Sequence, residues 1–278
     1  MKLITSINGK IVKRGQDKIS VFDNALLYAE GLFETCLGID GQIIFFNEHL
    51  NRLYKGAKVT GFKIPVKKEI LKKWVLNTSS KHPSRITKIR ITVTAGEAAR
   101  WVGQQGESQI IISVAPHQMP DYPFKLYLSD LKVDQDSIFR QVKTISYAIH
   151  ASALREAINK NCNDALLLNE KNQIAEVTSA NIFWVNKNKI YTTPLNSGCL
   201  EGITRKIVFR ESKKLGHKLS EKNITLPNLV NADEIFISSS LKLIAPVSEI
   251  KRQRQKHKIS SGPISNKFKS HFYKLVKY

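Results

Sequence analysis

The chain has 278 residues, 42% of them hydrophobic, and carries a formal net charge of +21. This apolar content is enough for one large core or two modest ones, so it excludes a globally disordered chain and favours two domains. The positive charge suggests nucleic-acid binding, but the lysines are spread over most of the chain, and no zinc-finger spacing, RNP-like motif or GxxxxGK loop is present. A generally basic surface that attracts anionic metabolites is therefore the favoured interpretation.

The first part of the chain combines hairpin and helix signals. Asn8-Gly9 and Asp40-Gly41 each lie between apolar stretches, which predicts two antiparallel hairpins. Apolar residues at helical spacing follow Asn47, a predicted N-cap, and a second helix is predicted after Pro65 with Ile70, Leu71 and Trp74 on its apolar side. Two further strands are predicted at residues 86–94 and 109–114.

A proline-rich stretch separates two predicted domains. Residues 115–123 contain three prolines, which predicts a linker between domains at 1–114 and 124–278. The second domain is predicted to contain a strand at 125–133, a helix at 148–159, strands at 165–168 and 181–185, a helix at 203–215 and a strand at 234–238. The chain after Glu249 is basic and polar, with a basic stretch from Lys251 to Lys258, and its amphipathic end is predicted to form a surface helix.

Two charged residues have both an ordinary and a chemical interpretation. Lys143 lies between a predicted strand and a predicted helix, where a lysine is normally solvated. Catalysis would require neighbours that make its amine reactive and a site that binds a carbonyl partner. Glu176 lies among small and apolar residues before a strand. It could cap a turn, or it could keep a pyridinium nitrogen protonated, which makes such a ring a good electron sink.

Three further segments offer groups that bind phosphate. Gly202 and Thr204 precede a predicted helix whose N-terminal N–H groups could bind an anion, although Thr204 could equally cap the helix. Ser238-Ser239-Ser240 follows a predicted strand and either forms a turn or donates hydroxyl groups to an anion. Arg52 flanks the apolar face of the first predicted helix, where it is either solvated or close to a phosphate.

The order of these motifs is more specific than any one of them. Along the chain they are GLFET, HLNRL, VKTISY, EVTSANIF, LEGITR, DEIFISSS and APV. This series resembles the class IV aminotransferases, fold-type-IV enzymes that use pyridoxal 5′-phosphate (PLP) and include branched-chain and D-amino-acid aminotransferases and 4-amino-4-deoxychorismate lyase. The resemblance spans residues 3–250. It implies a two-domain α+β fold like that of D-amino-acid aminotransferase, with a smaller N-terminal α/β domain and a larger, mostly-β C-terminal PLP-binding domain.

The resemblance also implies roles for individual residues. Lys143 would form the Schiff base with PLP and would shuttle the proton. Glu176 would pair with the pyridine nitrogen, and Tyr147 could approach the ring hydroxyl. The phosphate would be held by Arg52, Ile203, Thr204, Ser239 and Ser240.

The choice of reaction depends on a few substrate-facing positions. Alternation puts Phe33 and Thr35 on one strand face, which in this family faces the substrate. Branched-chain enzymes tend to have glycine at the Thr35 position and D-amino-acid enzymes valine, so this threonine resembles the lyases, although it could be only a β-branched strand residue. Arg100 matches the arginine of the lyase loop, which here lacks its extra glycines, and Val102 replaces a histidine of the D-amino-acid enzymes. Arg90 could contact a substrate carboxylate or be an edge-strand charge.

The favoured interpretation is a 4-amino-4-deoxychorismate lyase, which releases p-aminobenzoate and pyruvate for folate synthesis. Thr35 would assist the leaving group as a donor or through water. The alternatives are an amino-acid aminotransferase of the branched-chain or D-amino-acid type and, more distantly, a basic nucleic-acid-binding protein on the same scaffold. The family further implies a homodimer with its active site at the domain interface.

The sequence also bears on compartment and metal content. Cys36, Cys162 and Cys199 are too widely spaced for a disulfide framework or a zinc cluster, which predicts packing roles in a reducing cytoplasm and no bound metal. The start of the chain does not resemble a signal peptide, and no run of about 18 apolar residues predicts a membrane span.

Overall fold

The computed structural model describes residues 3–99, 103–260 and 262–278. Contacts group the chain into two units. The N-terminal unit comprises Met1–Gln118 and Val142–Ser146, and the C-terminal unit comprises Met119–Gln141 and Tyr147–Tyr278. The predicted linker at 115–123 overlaps the last strand of the N-terminal unit, which continues through Pro116.

In the described part of the chain, the N-terminal unit consists of a six-stranded antiparallel sheet and three helices. Its strands are β1 (Ile4–Ile7), β2 (Lys10–Val12), β3 (Gly31–Ile39), β4 (Gln42–Ile43), β5 (Ile86–Thr94) and β6 (Ile110–Pro116), in the order β2-β1-β6-β5-β3-β4. Its helices are α1 (Asn24–Tyr28), α2 (Phe46–Val59) and α3 (Lys68–Ser80). Both predicted hairpins are confirmed, and each has two turn residues at positive φ, as a type I′ turn requires.

Apolar side chains of α2 and α3 cover one face of this sheet. Leu50 and Leu53 of α2 and Leu71 of α3 are buried in one cluster with Ile89 and Ile91 of β5. These side chains recur at helical spacing on α2 and at every second position on β5, so each element presents a continuous apolar face to the other. The burial of these faces positions β3, whose residues supply part of the site described below.

Two details of the predicted helices are wrong. The predicted N-cap Asn47 lies inside α2, because the N-cap is Phe45, two residues earlier, in the left-handed conformation. Of the three side chains predicted on the apolar side of α3, Leu71 is buried and Trp74 packs against the same cluster, whereas Ile70 is 41% exposed. The spacing of apolar residues thus predicts both helices, but it gives neither the start of α2 nor the exposure of Ile70.

The segment Val142–Ser146 adds to the edge of β3. Phe33 donates its N–H to the Lys143 carbonyl at 2.9 Å, and Ile145 donates its N–H to the Gly31 carbonyl at 3.0 Å. Leu32 and Thr144 are partners in this antiparallel bridge. Lys143 is therefore the cross-strand neighbour of Phe33, and their side chains share one face of the sheet.

In the described part of the chain, the C-terminal unit consists of a nine-stranded mixed sheet and four helices. Its strands are β7 (Phe124–Val133), β8 (Asp164–Asn169), β9 (Ile174–Val177), β10 (Asn181–Asn186), β11 (Lys189–Thr192), β12 (Leu219–Glu221), β13 (Glu234–Ser239), β14 (Leu243–Arg252) and β15 (Gln255–Lys258). The order is β12-β11-β10-β13-β14-β7-β8-β9, and β15 pairs with β14. Its helices are α4 (Ala148–Asn159), α5 (Ile203–Lys214), α6 (Leu226–Leu229) and α7 (Pro263–Leu275). The basic stretch forms the largely exposed hairpin of β14 and β15.

The last helix is attached to the sheet by a buried carboxylate. Glu234 of β13 accepts the N–H groups of Ile264 and Ser265, in the first turn of α7, at 3.0 and 2.7 Å. Phe268 and Phe272 of the same helix are fully buried. A carboxylate at this position satisfies two N–H groups that have no intrahelical acceptor and interacts favourably with the helix dipole.

Glu234→Ala is expected to lower the free energy of unfolding by about 2 kcal/mol, because two buried N–H groups lose a charged acceptor. Urea unfolding followed by circular dichroism measures this change. Glu170→Ala, at an exposed position, is the matched control and is expected to have little effect. A Glu234→Ala change no larger than the control would show that the two hydrogen bonds do not hold α7.

Other features of the described residues concern compartment and metal. Cys36, Cys162 and Cys199 are buried, and none of the three forms a disulfide. No helix in the described ranges is long and apolar enough to cross a membrane. Within those ranges, no group of three or more histidine, cysteine, aspartate or glutamate side chains is arranged to hold a metal ion.

Candidate functional site

One face of the N-terminal sheet carries four of the predicted site residues. Phe33 and Thr35 alternate onto this face of β3, and Thr35 lies opposite Arg90 of β5. Lys143 Nζ lies 4.2 Å from the centroid of the Phe33 ring, and the Arg90 guanidinium carbon lies 3.9 Å from the same centroid. The Phe33 ring therefore contacts two cationic side chains, so this face attracts anionic groups such as carboxylates.

The opposite face of β3 carries a buried charge cluster. Glu34 is fully buried, and its two oxygens accept hydrogen bonds from Arg52 Nε and Nη2, each at 2.7 Å. Its Oε2 also lies 2.7 Å from His49 Nδ1. Burial acts to raise the pKa of Glu34, but the charge and hydrogen bonds of Arg52, and then those of His49, outweigh burial and lower this pKa to about 2. Glu34 is therefore ionised and fixes the plane of the Arg52 guanidinium.

A shallow cleft lies within the N-terminal unit. Phe33, Arg52, Gly56 and Lys143 are among its lining residues. A Cβ on Gly56 would come within 2.9 Å of Val142 Cγ1, so glycine allows the lysine-bearing segment to pack closely against α2. The cleft brings the predicted Schiff-base lysine and the predicted phosphate-binding arginine to one place.

In the C-terminal unit, β9 presents Glu176 to three hydrogen-bond donors. Oε1 accepts from Arg140 Nη2 and lies 3.2 Å from His150 Nε2, and Oε2 accepts the N–H of Leu200 at 2.9 Å. Burial acts to raise the pKa of Glu176, but the His150 hydrogen bond, the Arg140 charge and the Leu200 N–H outweigh it and lower this pKa. A carboxylate has about four acceptor positions, and these donors use three of them, so Oε2 can accept one further N–H.

Tyr147 lies at the N-cap of α4, three residues before His150. Its hydroxyl donates to the Thr178 carbonyl, and its ring stacks on His150 with centroids 4.6 Å apart and planes inclined by 22°. Thr178 follows Glu176 by two residues, so the predicted ring-hydroxyl and ring-nitrogen partners lie in the same part of the C-terminal unit.

The start of α5 packs closely against Asn181 of β10. Its N-cap is Gly202, where a Cβ would overlap Asn181 Oδ1. Asn181 Nδ2 in turn donates to the Leu200 carbonyl at 2.8 Å, which fixes the turn before the helix. Thr204 does not cap the helix, and its buried Oγ1 has no hydrogen-bond partner among the described residues. The N–H groups of the first turn, that of Ile203 included, have no intrahelical acceptor, so this terminus can bind an anion.

The predicted serine turn lies at the end of β13. Ser238 is the register partner of Asn181 across β10 and β13, and its buried Oγ has no hydrogen-bond partner within the described ranges. Ser239 Oγ accepts the N–H of Lys242 at 3.3 Å, and Ser240 follows in the turn. Asn181 thus connects the serine turn with the turn that begins α5.

Considered separately, each unit offers groups that fit PLP, the cofactor that the resemblance implies. A pyridinium N–H requires an ionised carboxylate with an acceptor position available, as in Glu176. A phosphate requires N–H and O–H donors, which the start of α5 and the buried hydroxyls of Thr204 and Ser238 provide. A covalent link to the cofactor aldehyde requires a primary amine, as in Lys143.

Two residues that contact Glu176 are not among the sequence-based predictions, and one predicted site residue lies outside the described residues. Arg140 and His150 contact Glu176, whereas Ser238 belongs to the serine turn that the sequence predicts and presents a buried hydroxyl there. Arginine and histidine flanking a candidate catalytic lysine within RQVKTISYAIH were an available signal for the first two. Arg100 lies outside the described residues.

The comparisons with known proteins agree with one another. A family model described as Amino-transferase class IV matches residues 31–250. A Methanocaldococcus jannaschii protein, provisionally named a branched-chain-amino-acid aminotransferase, is 33% identical over 271 residues, which are 96% of this chain and 94% of that protein. The aminodeoxychorismate lyase of Bacillus subtilis is 26% identical over 253 residues, 88% of this chain and 85% of the lyase.

A solved structure of a branched-chain aminotransferase is also similar to this chain. The T.th. branched-chain amino acid aminotransferase with pyridoxamine 5′-phosphate matches with a TM-score of 0.90 and 26% identity, and the match covers 98% of this chain and 93% of that one. The predicted α+β fold is thereby confirmed.

Proposed function

The chain belongs to the class IV aminotransferase family and is a PLP-dependent enzyme, and we propose that it acts as a 4-amino-4-deoxychorismate lyase. That reaction cleaves 4-amino-4-deoxychorismate into p-aminobenzoate and pyruvate. The observation that carries the proposal is the position of Thr35, which shares one sheet face with Lys143 and Arg90.

The roles of the cofactor-binding residues follow from their chemistry. When bound, PLP supplies a conjugated ring that accepts the electron pair left when a proton leaves the carbon beside the substrate amine. Lys143 Nζ holds the cofactor covalently and moves that proton. Glu176, ionised and with an acceptor position available on Oε2, holds the ring nitrogen.

The phosphate is held by donors from several segments. The N–H groups of Ile203 and Thr204, the Thr204 hydroxyl and the serines of the β13 turn supply hydrogen bonds, and Arg52 supplies charge. Glu34 supports this role of Arg52, because it fixes the guanidinium within the cleft that Lys143 also lines. Tyr147 contacts the ring hydroxyl.

The lyase reaction gives Thr35 a specific task. Loss of pyruvate requires a bond to break next to the aromatising ring, and the departing group must gain a proton to become pyruvate. The half-buried Thr35 hydroxyl can donate to that group directly or through water. Arg90 lies opposite Thr35 and offers a charge partner for one of the two substrate carboxylates, since each product retains one of them.

Thr35→Val is expected to reduce pyruvate release by about 100-fold, because valine keeps the shape of the side chain and removes the hydroxyl. Thr35→Ser is the matched control and should retain most of the activity. Both variants should keep the visible absorbance of bound PLP, since the hydroxyl is not assigned to the cofactor. Wild-type rates of pyruvate and p-aminobenzoate release in Thr35→Val would overturn the role of Thr35.

An amino-acid aminotransferase is the second candidate, because the M. jannaschii relative is 33% identical over nearly the whole chain, whereas the B. subtilis lyase is 26% identical. Holoenzyme incubated with aminodeoxychorismate and no amino acceptor separates the two. Release of pyruvate and p-aminobenzoate supports the lyase. Keto-acid-dependent turnover of amino acids without that release supports the aminotransferase. Because the chain is an enzyme, binding of nucleic acid is no longer a candidate for its sole activity.

We also propose that the enzyme is a cytoplasmic homodimer. Val21, Phe22 and Leu26 lie close together in the sequence at and before α1, and they are 63%, 54% and 62% exposed in the single chain. Apolar side chains clustered in this way commonly form protein interfaces. The three buried cysteines form no disulfide, which agrees with a reducing compartment. Sedimentation of the purified protein at the mass of a monomer would contradict the dimer.

A further inference from the structure

His150 contacts both side chains assigned to the PLP ring. It is buried in the first turn of α4, three residues after Tyr147, and this spacing puts the two rings on one side of the helix. The edge of the imidazole faces Glu176, and its flat face lies against Tyr147. One side chain thus connects a carboxylate on β9 with a phenol at the start of α4.

The contact with Glu176 indicates which ring nitrogen of His150 carries a proton. His150 Nε2 lies 3.2 Å from Glu176 Oε1 and 3.4 Å from Arg140 Nη1. Arginine only donates, so a hydrogen bond from Arg140 would require a lone pair on Nε2, and that lone pair would then also face the ionised oxygen of Glu176. The tautomer with a proton on Nε2 avoids this repulsion and donates to Glu176 across the shorter distance.

This donor limits rotation of the carboxylate. Arg140 and His150 both donate hydrogen bonds to Oε1, and the Leu200 N–H donates to Oε2. Donors on both oxygens fix the carboxylate plane, so the acceptor position that remains on Oε2 has one direction. Without His150, Oε1 keeps a single side-chain donor, and the carboxylate can turn about its last torsion more easily.

The contact with His150 also restricts the orientation of the Tyr147 side chain. The two rings are nearly parallel, with centroids 4.6 Å apart, and the Tyr147 hydroxyl donates to the Thr178 carbonyl. The stacked face and the hydroxyl contact hold the phenol at both ends. We propose that His150 is a positioning residue that aligns Glu176 through its edge and Tyr147 through its face, so that the two side chains bind PLP together. This proposal rests on the assignment of Glu176 and Tyr147 to the PLP ring.

Two substitutions at position 150 separate the effect of the hydrogen bond to Glu176 from the effect of the ring that stacks on Tyr147. His150→Phe keeps a flat ring for Tyr147 and removes the donor, whereas His150→Gln keeps an N–H near the Nε2 position and removes the ring. Apo-protein is titrated with PLP and with the PLP analogue that has C–H in place of the ring nitrogen, and both dissociation constants are measured by absorbance. His257→Phe, at a half-buried histidine of β15, is the matched control.

Wild-type protein is expected to prefer PLP over the analogue, because only PLP offers a ring N–H to Glu176. In His150→Phe this preference should fall about tenfold, the effect of one hydrogen bond to a charged group, while binding of the analogue stays nearly unchanged. In His150→Gln the preference should survive while both ligands bind more weakly. His257→Phe should match the wild type.

Different results would overturn the role of His150 and the assignment of Glu176. Equal weakening of both ligands in His150→Phe would show a merely structural role and would overturn the proposal. If His150→Phe does not fold, loss of the preference in His150→Gln would overturn it as well. No preference in the wild type would refute the assignment of Glu176 and, with it, the role of His150. All of these results are independent of whether the enzyme is a lyase or an aminotransferase.

Discussion

Lys143→Ala is expected to reduce turnover by at least about 1000-fold, the largest effect of any single substitution considered for the site. The substitution removes the only group assigned both to hold PLP covalently and to move the substrate proton. Its neighbours define a specific environment, because the amine lies against the Phe33 ring in a sheet-edge segment that pairs with β3. The measurement is turnover of the holoenzyme together with its visible absorbance.

The absorbance distinguishes loss of the covalent link from loss of the cofactor. In Lys143→Ala, PLP is expected to remain bound through Glu176 and the phosphate-binding groups and to show the spectrum of its free aldehyde. Lys171→Ala, at an exposed turn position, is the matched control and should retain the wild-type spectrum and rate. A wild-type spectrum in Lys143→Ala would mean that another amine holds the cofactor.

The assignment of the candidate cofactor site depends on motif order more than on local pattern. No local feature of Lys143 separates it from the many other lysines, and its assignment depends on the glutamate, the helix start and the serines that follow it in sequence. The helix at 148–159 and the strand at 86–94 were predicted within these bounds, because each has a strong period in its apolar residues.

Several of the elements that the sequence does not predict have weak local signals. All four residues of β9 are buried, so β9 lacks the alternation of apolar and polar residues that is typical of a strand with one solvent-exposed face. Strands β12 and β15 have three and four residues, too few to establish a period. The return of Val142–Ser146 to the edge of β3 depends on pairing between residues more than 100 positions apart, which no local pattern encodes.

The same reason explains the missed partners of predicted residues. The period of α2 indicates that Arg52 flanks the apolar face, but only the fold brings it to Glu34, 18 residues away on β3. His150 and Glu176 are 26 residues apart on different elements. Single residues were therefore predictable as candidates, whereas the hydrogen-bond sets that fix them required the tertiary structure.

Glu34→Gln is expected to lower the free energy of unfolding by roughly 3–5 kcal/mol near neutral pH. Glu34 is fully buried, and glutamine preserves its shape but leaves the Arg52 guanidinium, whose side chain is 10% exposed, without its counter-charge. Asp40→Asn is the matched control, since the Asp40–Arg85 pair at the end of the same strand is 59% exposed on both sides. Asparagine tolerates the positive φ of that turn, so the control should cost less than about 1 kcal/mol.

The difference between wild type and Glu34→Gln should itself depend on pH. The pKa of Glu34 falls from its ordinary value of 4.5 to about 2 in the folded protein, so folding favours the ionised form. The resulting stabilisation is fully present above about pH 4.5 and is lost as pH falls toward 2, and a shift of this size corresponds to about 3 kcal/mol. Urea unfolding of both proteins at several pH values measures it. Because glutamine has no proton to gain, the two proteins should converge at low pH, and a difference that does not change with pH would show that the buried charge of Glu34 does not stabilise the fold.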